Sequence, residues 1–255
     1  MIPINLLKRL EVVAIDFLDI RFDVIWNYRE LFIRGIGVTL ALTLVGYIGG
    51  FLLGLLVGLG KMSKKKWIYY PSKYYVDFFR GTPLLVQILI IHLALIPTIF
   101  GHSLGYFVSG ALALILNSAA YNAEIIRAGI QSIEKGQSEA ARSLGMTSGI
   151  AMRLIVLPQA FRRMVPPLGN ELIALMKDSS LVTVIAANDL LYAGKIVAGA
   201  SFRTWEPYIT IAILYLMLTF IFTQVISYVE KRFSNSYVPS QRKRILSFGR
   251  GSAGR

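Results

Sequence analysis

Apolar residues run along this chain in long uncharged stretches, and the polar residues gather between them. The first stretch, residues 35–60, contains no Asp, Glu, Lys or Arg. At 1.5 Å rise per residue it predicts a helix of about 39 Å, enough to cross a hydrocarbon core of about 30 Å. Gly46, Gly50, Gly54 and Gly58 recur at every fourth position. One face of that helix is therefore bare backbone, against which a second helix packs closely. A basic turn follows (Lys61, Lys64, Lys65, Lys66), then a polar stretch with Lys73, Asp77 and Arg80 that reads as interfacial until Gly81-Thr82-Pro83 breaks the pattern. Between Gly81 and Ala123 no charge occurs, which is room for two spans, with Pro97 and Gly101-His102-Ser103 as the expected turn.

Beyond Pro158 the pattern changes. Arg162, Arg163, Pro166, Pro167, Asn170, Glu171, Lys177, Asp178, Ser179 and Ser180 fall where a further span is needed. A span interrupted by prolines and carrying ionisable groups is costly in lipid, so it is expected to face the bundle interior or a water-filled cavity. Glu171 and Asp178 are seven residues apart and share a helical face; Asn170 and Lys177 share the adjoining one. Two carboxylates on one face can receive an ammonium or guanidinium, and Lys177 can meet a carboxylate. Internal pairing of Lys177 with Asp178 is the structural alternative. Residues 186–206 read as a polar outer loop, and residues 207–229, 23 without charge, as the last span.

Charge gives the direction. The chain carries 27 Lys and Arg against 14 Asp and Glu, a net +13. Those bases cluster at the ends of apolar runs, with no basic stripe interleaved with aromatics, so membrane topology explains them and nucleic acid does not. Bases around residues 61–66, at Arg127, Lys135, Arg142 and Arg153, and after residue 230 mark the cytoplasmic side. The expectation is an all-α membrane protein of five spans, N-terminus outside and C-terminus inside. Residues 1–31 read as an amphipathic N-terminal segment without a cleavable signal, residues 32–233 as the transmembrane domain, and residues 234–255 as a basic, disordered cytoplasmic tail. With 55% hydrophobic residues the bilayer is the expected solvent. Cysteine is absent and only two histidines are present, which argues against disulfide, thiol and zinc chemistry. Gly60-Lys61 is no phosphate loop, because Leu55 and Met62 stand where that motif needs Gly and Ser or Thr. No nucleophile, base and orienting group stand together as an enzyme would need.

One polar island interrupts the apolar pattern: Glu139-Ala140-Ala141-Arg142-Ser143-Leu144-Gly145, followed after nine residues by Ile155-Val156-Leu157-Pro158. Residues 137–144 predict two helical turns, Gly145 a left-handed stop and Thr147 the cap of the next helix. Ala140 and Ala141 leave room for a partner to approach, and Glu139 and Arg142 offer charges of both signs. Glu-Ala-Ala alone would indicate only a helix connection. The full pattern resembles the signature loop of the membrane subunits of ATP-binding-cassette importers. Further blocks narrow the likeness to polar amino acid permeases of type I importers: Arg80-Gly81-Thr82-Pro83-Leu84-Leu85-Val86-Gln87, Tyr121-Asn122-Ala123-Glu124-Ile125-Ile126-Arg127-Ala128-Gly129, Leu157-Pro158-Gln159-Ala160 and Lys177-Asp178-Ser179-Ser180-Leu181.

The resemblance, over about residues 23–233, implies a permease dimer of identical or homologous chains, two ATPase subunits that bind ATP and Mg, and an extracytoplasmic binding protein that delivers an amino acid. It implies no cofactor in this chain itself and a prokaryotic cytoplasmic membrane. It places the ATPase contact on the loop at about residues 134–158, at Glu139, Ala140, Ala141, Arg142 and Gly145. Substrate residues are expected at Asn170, Glu171, Asp178 and Ser179, with Arg80 and Thr82 as weaker candidates for the substrate carboxylate. A snorkelling interfacial cation is the other reading of Arg80. An ATP-independent secondary transporter or channel would also carry ionisable residues in a broken span, but it would need no docking loop.

Overall fold

The computed structural model describes residues 21–234, and every regular element among them is helical. Most of the expected N-terminal segment (residues 1–20) and the basic tail after residue 234 lie outside the described residues. A short helix α1 (Phe22–Asn27) leads into α2 (Arg29–Gly60), so the first long helix begins at Arg29, ahead of the expected residue 35. Phe32, 4% exposed, packs with Leu190, Val197 and Ile211, while Arg29, Glu30 and Arg34 stay on the exposed side. An amphipathic turn extends the helix past its uncharged run.

The glycine face of α2 meets α6 (Gly105–Gln131), and this is the most extensive helix contact in the molecule. Gly46, Gly50, Gly54 and Gly58 are all buried. A Cβ built at Gly50 would lie 2.7 Å from Ser118 Cβ, and one at Gly54 would lie 2.8 Å from the Ala119 carbonyl oxygen. On the facing side Ser118, Ala119, Ala120 and Ala123 are fully buried. The backbones approach because neither helix has a side chain in the way.

Between them runs a broken segment. α3 (Lys66–Gly81) and the run α4 (Leu84–Ile90), a π turn (Ile91–Leu95) and α5 (Ile96–Phe100) meet at 108°. The break at residues 81–83 follows the sequence expectation. Pro97, expected in a turn, instead sits inside the helical run, and the turn comes at Gly101, whose φ is +74°. The same device recurs in the second half. α8 (Ser148–Ala151) passes through a π turn (Met152–Val156) into α9 (Leu157–Asp178), with Pro158 two residues beyond the π turn. A proline cannot donate to the carbonyl four residues earlier and crowds it; a wide turn just upstream relieves both.

α9 also runs unbroken through Pro166 and Pro167, contrary to the expected interruption there. The helix yields later, at a 3-10 turn (Ser179–Ile185) and the left-handed Ala186 and Asn188. The expected outer loop, residues 186–206, is largely helix α10 (Leu190–Ser201), set at 48° to the preceding run. Asp189 caps it by accepting from Leu191 and Tyr192 N–H, and Leu190, Ala193, Gly194 and Val197 bury one face. That face was too short and too mixed to stand out in hydropathy. The last helix, α11 (Trp205–Ser234), leaves Leu216, Phe220 and Tyr228 more than 60% exposed, at 68%, 62% and 65%. Large apolar side chains exposed along a helix are at home in a bilayer.

Two helices, α2 and α11, are each long and apolar enough to cross a membrane, and there are up to four spans if each bent pair counts as one. α6 is long enough at 27 residues but is lined with small and polar side chains buried by its neighbours. Hydropathy alone therefore does not reach five.

The helix α7 (Lys135–Ser143) sits at the same end as the lysine turn: Met62 packs in a cluster with Ile126, Ile130, Ile133 and Val156. At this end Glu124 accepts from Lys61 Nζ and from Arg127 Nε and Nη2 at 3.1 and 2.7 Å, an ion group in which the Glu124 side chain is 16% exposed. α7 closes on paired bonds, Met146 N–H to the Ala141 carbonyl at 3.2 Å and Gly145 N–H to the Arg142 carbonyl at 3.0 Å, with Gly145 at φ +84°. This is the Schellman arrangement, which needs a left-handed residue after the cap.

Two substitutions check this packing. Gly54→Leu should cost about 3 kcal/mol or more through backbone clash and lower the yield and melting temperature of the purified protein, whereas Gly37→Ala, with open space around its Cβ, should change neither measurably. Gly145→Ala should cost about 1 kcal/mol by straining the left-handed cap, seen as faster amide exchange confined to α7 and the following turn.

Candidate functional site

Two groups of residues carry the chemistry. The first is the α7 loop. Glu139, Ala140, Arg142 and Gly145 are exposed, and Leu144 is 81% exposed, so a protruding surface with one large apolar side chain and both charges is available. Ala141 departs from expectation: it is 5% exposed and turned toward its own chain. Residues 140 and 141 point about 100° apart on a helix, so only one of two adjacent alanines can face outward. Thr147 caps α8 as expected, its hydroxyl accepting from Ile150 N–H at 3.4 Å.

The second group lies where the broken segment, α6 and α9 meet. Glu171, on α9, is half-buried, and its Oε1 accepts from the Ser118 hydroxyl at 3.3 Å. Ser118 in turn accepts from Asn122 Nδ2 at 3.0 Å, and both residues are fully buried. Asn122 Oδ1 has no partner and no solvent, an unusual state for a buried acceptor. Arg80, at the end of α3, holds its guanidinium 5.3 Å from the centre of the Tyr121 ring, a contact worth about 1 kcal/mol. Arg80 and Asp178 are both close enough to Glu171 for their charges to act on it.

Of the expected substrate residues, Glu171 and Asp178 stand about two helical turns apart on α9, and Arg80 stands at the end of α3. Asn170 is exposed on the neighbouring face of α9, and no ion pair joins Lys177 to Asp178 among the described residues. Ser179 and Thr82 are placed differently. Ser179 is fully buried and donates to its own Met176 carbonyl at 2.7 Å, and the Thr82 hydroxyl donates to the Phe78 carbonyl at 2.9 Å. Both hydroxyls serve the helix ends that they terminate.

A cavity of about 430 Å³ opens between α6 and α9 on the side toward α7, lined by Arg80, Glu124, Gly129, Arg163 and Pro167 among others. Arg163 also reaches across to the Ser132 carbonyl at the end of α6, at 2.5 Å. The cavity brings the Arg80 and Arg163 guanidiniums and the Glu124 carboxylate, itself paired with Lys61 and Arg127, into an otherwise largely apolar lining. Residues with no expected role, Ser118, Tyr121 and Asn122, complete the contacts of Glu171 and Arg80. A polar i, i+4 pair such as Ser118 and Asn122 inside an uncharged span is the sequence signal that would have found them.

Known proteins share this architecture. Residues 50–235 match the family described as binding-protein-dependent transport system inner membrane component. The chain is 38% identical over 204 residues to the arginine transport system permease protein ArtQ of Bacillus subtilis, covering 80% of this chain and 93% of that one. It is 34% identical over 211 residues to the glutamine transport system permease protein GlnP of Escherichia coli, covering 83% and 96% respectively. Among solved structures, an amino acid ABC transporter crystallised with histidines superposes with a TM-score of 0.79 at 44% identity, over 84% of this chain and 99% of that one. The methionine transporter MetNI, at 23% identity and a TM-score of 0.70, shares the fold. The chain belongs to the binding-protein-dependent transport system inner membrane component family, with the all-helical fold of type I ABC importer permeases.

Proposed function

We propose that this chain is the permease subunit of an ATP-driven importer that moves a polar or basic amino acid across the cytoplasmic membrane of a prokaryote. The observation that carries the reading is the exposed, Schellman-capped α7 loop, held at the lysine-rich end of the bundle. In this reading a soluble motor reaches the loop from the cytoplasm, the side that positive residues favour. In this reading five spans cross the bilayer: α2, the broken α3 to α5, α6, the run from α8 through the 3-10 turn, and α11. The N-terminus lies outside and the C-terminus inside.

Two ATPase subunits, which bind ATP and Mg, dock on Glu139, Ala140, Arg142 and Gly145 of a pair of permease chains, with Ala141 acting from beneath to hold α7 in place. Closure of the motor moves α7, whose rigid cap transmits the motion to the π turn and α9. An extracytoplasmic binding protein supplies the substrate. Arg80 receives its α-carboxylate, while Glu171 and Asp178 receive a cationic or amide group, with Asn170 beside them; Thr82 and Ser179 shape the helix breaks. By linkage, substrate and nucleotide act on each other only as far as each binds the two access states unequally. The relatives named for arginine and glutamine transport support this substrate class.

Co-expression with a cognate ATPase, followed by ATP hydrolysis measured across an amino acid panel in vesicles containing the binding protein, tests the reading. Stimulation by a basic or amide amino acid is the expected result; uptake that proceeds without ATP would instead indicate a secondary transporter. Glu139→Lys should leave the protein in the membrane and abolish coupled uptake, and normal uptake by that variant counts against the docking role. Glu171→Gln should weaken half-saturation for a cationic amino acid about tenfold, and for a neutral one by less than about threefold. Equal losses for both would mark Glu171 as structural.

A further inference from the structure

We propose that Gln87, held by Asn117, is a positioning residue that fixes the break at Thr82-Pro83 and, through it, the place of the Arg80 guanidinium on the Tyr121 ring. The inference rests on the reading of Arg80 as a group on the substrate route. It begins with the backbone. Thr82 precedes a proline and is extended, with φ −121° and ψ 148°, so α3 has to end there. The last carbonyls of a helix have no partners within it, and inside a membrane no bulk water is available to replace them.

One side chain supplies most of what is missing. Gln87 Nε2 lies 2.9 Å from the Phe79 carbonyl oxygen, 3.0 Å from the Thr82 carbonyl oxygen and 2.8 Å from Thr82 Oγ1. Two amide hydrogens are shared among three acceptors. The Thr82 hydroxyl accepts from Gln87 while donating to the Phe78 carbonyl, which makes the set self-consistent. On the other side of the amide, Gln87 Oε1 accepts from Asn117 Nδ2 at 2.9 Å, which fixes the amide so that its nitrogen faces the break. Gln87 is 3% exposed and Asn117 6%.

Gln87 therefore ties the last turn of α3, the break and the first turns of α4 to α6. Arg80 lies between the two carbonyl-bearing residues that it holds, Phe79 and Thr82. Tyr121, on which the Arg80 guanidinium rests, is one turn along α6 from Asn117 and on the same face. Brace and stack are thus mounted on one stripe of one helix. An apolar residue of equal size at position 87 would fill the space but leave the Thr82 carbonyl without its donor and the Phe79 carbonyl with only the 3.4 Å contact from Asn117 Nδ2, and the break would relax to find other donors. The guanidinium would move with it.

The test uses the assembled transporter in vesicles with radiolabelled L-arginine and L-glutamine. Gln87→Glu keeps the size and the acceptor toward Asn117 but loses at least one of the two N–H donors. It should raise the half-saturation concentration about tenfold, with a several-fold smaller change in maximal rate. Asn117→Leu, which frees the amide to rotate, should act in the same direction and serves in its place if Gln87→Glu does not assemble. The deciding measurement is the double-mutant cycle with Arg80→Ala: if the brace acts through Arg80, either substitution should add less than about twofold in that background. Full additivity, or unchanged half-saturation in both single variants, overturns the proposal. An Arg80→Ala variant that itself keeps wild-type half-saturation overturns the reading of Arg80 instead, and so separates the two.

Discussion

The close approach of α2 and α6 is the constraint on which the rest depends. Four buried glycines on one helix face an alanine and serine surface on the other, and Cβ atoms at the central glycines would sit under 3 Å from their neighbours. Two helices this close form a rigid wall, and other elements are placed against it. α3 lies on the α6 side through Val76, Ala120 and Ala123, α9 contributes Met164 and Leu168 to the cluster at the α7 end, and α10 sits against the start of α2. Without a hydrophobic driving force between helices in lipid, backbone proximity and dispersion carry this contact.

Against that wall two further segments are broken, while α11 runs straight, and ionisable and amide side chains lie near the breaks. Thr82-Pro83 ends α3 beside Arg80, and the 3-10 turn after Asp178 ends α9 about two turns beyond Glu171. The association has a physical reason. A helix interrupted within the bilayer exposes carbonyls that need donors, so polar side chains gather there for structural reasons and the same place then tolerates ionisable groups. Gln87, Asn117, Thr82 and Ser179 bond to backbone carbonyls, and Arg80, Glu171 and Asp178 are the ionisable groups near the breaks. The two sets are neighbours because the first makes the second affordable.

At the α7 end the chemistry is different. The Lys61, Glu124 and Arg127 group holds the end of α2 to α6 by charge, and the cluster of Ile126, Ile130, Ile133 and Val156 seats the loop below it. α7 therefore stands on a firm base while Glu139, Arg142 and Leu144 project from it. A short helix with a Schellman cap at its C-terminal end and one alanine turned inward has little freedom to bend on its own. The π turn beneath it already loosens the helical ladder ahead of Pro158.

The sequence by itself determined the family, the helical class, the glycine face of α2, the break at residues 81–83 and the cap at Gly145. Each of these is written in residue types whose backbone or volume admits few alternatives: glycine where helices touch, threonine before proline, glycine at positive φ. Tertiary structure alone decided the rest. Whether Pro97, Pro166 and Pro167 break a helix depended on whether a π turn or packing relieved them, which no local pattern states. α10 packs Leu190, Ala193 and Val197 against Phe32 and Ile211; it is apolar, but at 12 residues with Lys195 in its middle it is too short to read as a span. Likewise Ala141 turned inward, Thr82 and Ser179 were claimed by their own helix ends, and Gln87 met Asn117, and Ser118 met Glu171, across gaps of 30 and 53 residues. Those outcomes rest on which groups become neighbours, and in a bilayer a polar group's role is set by the partner it finds.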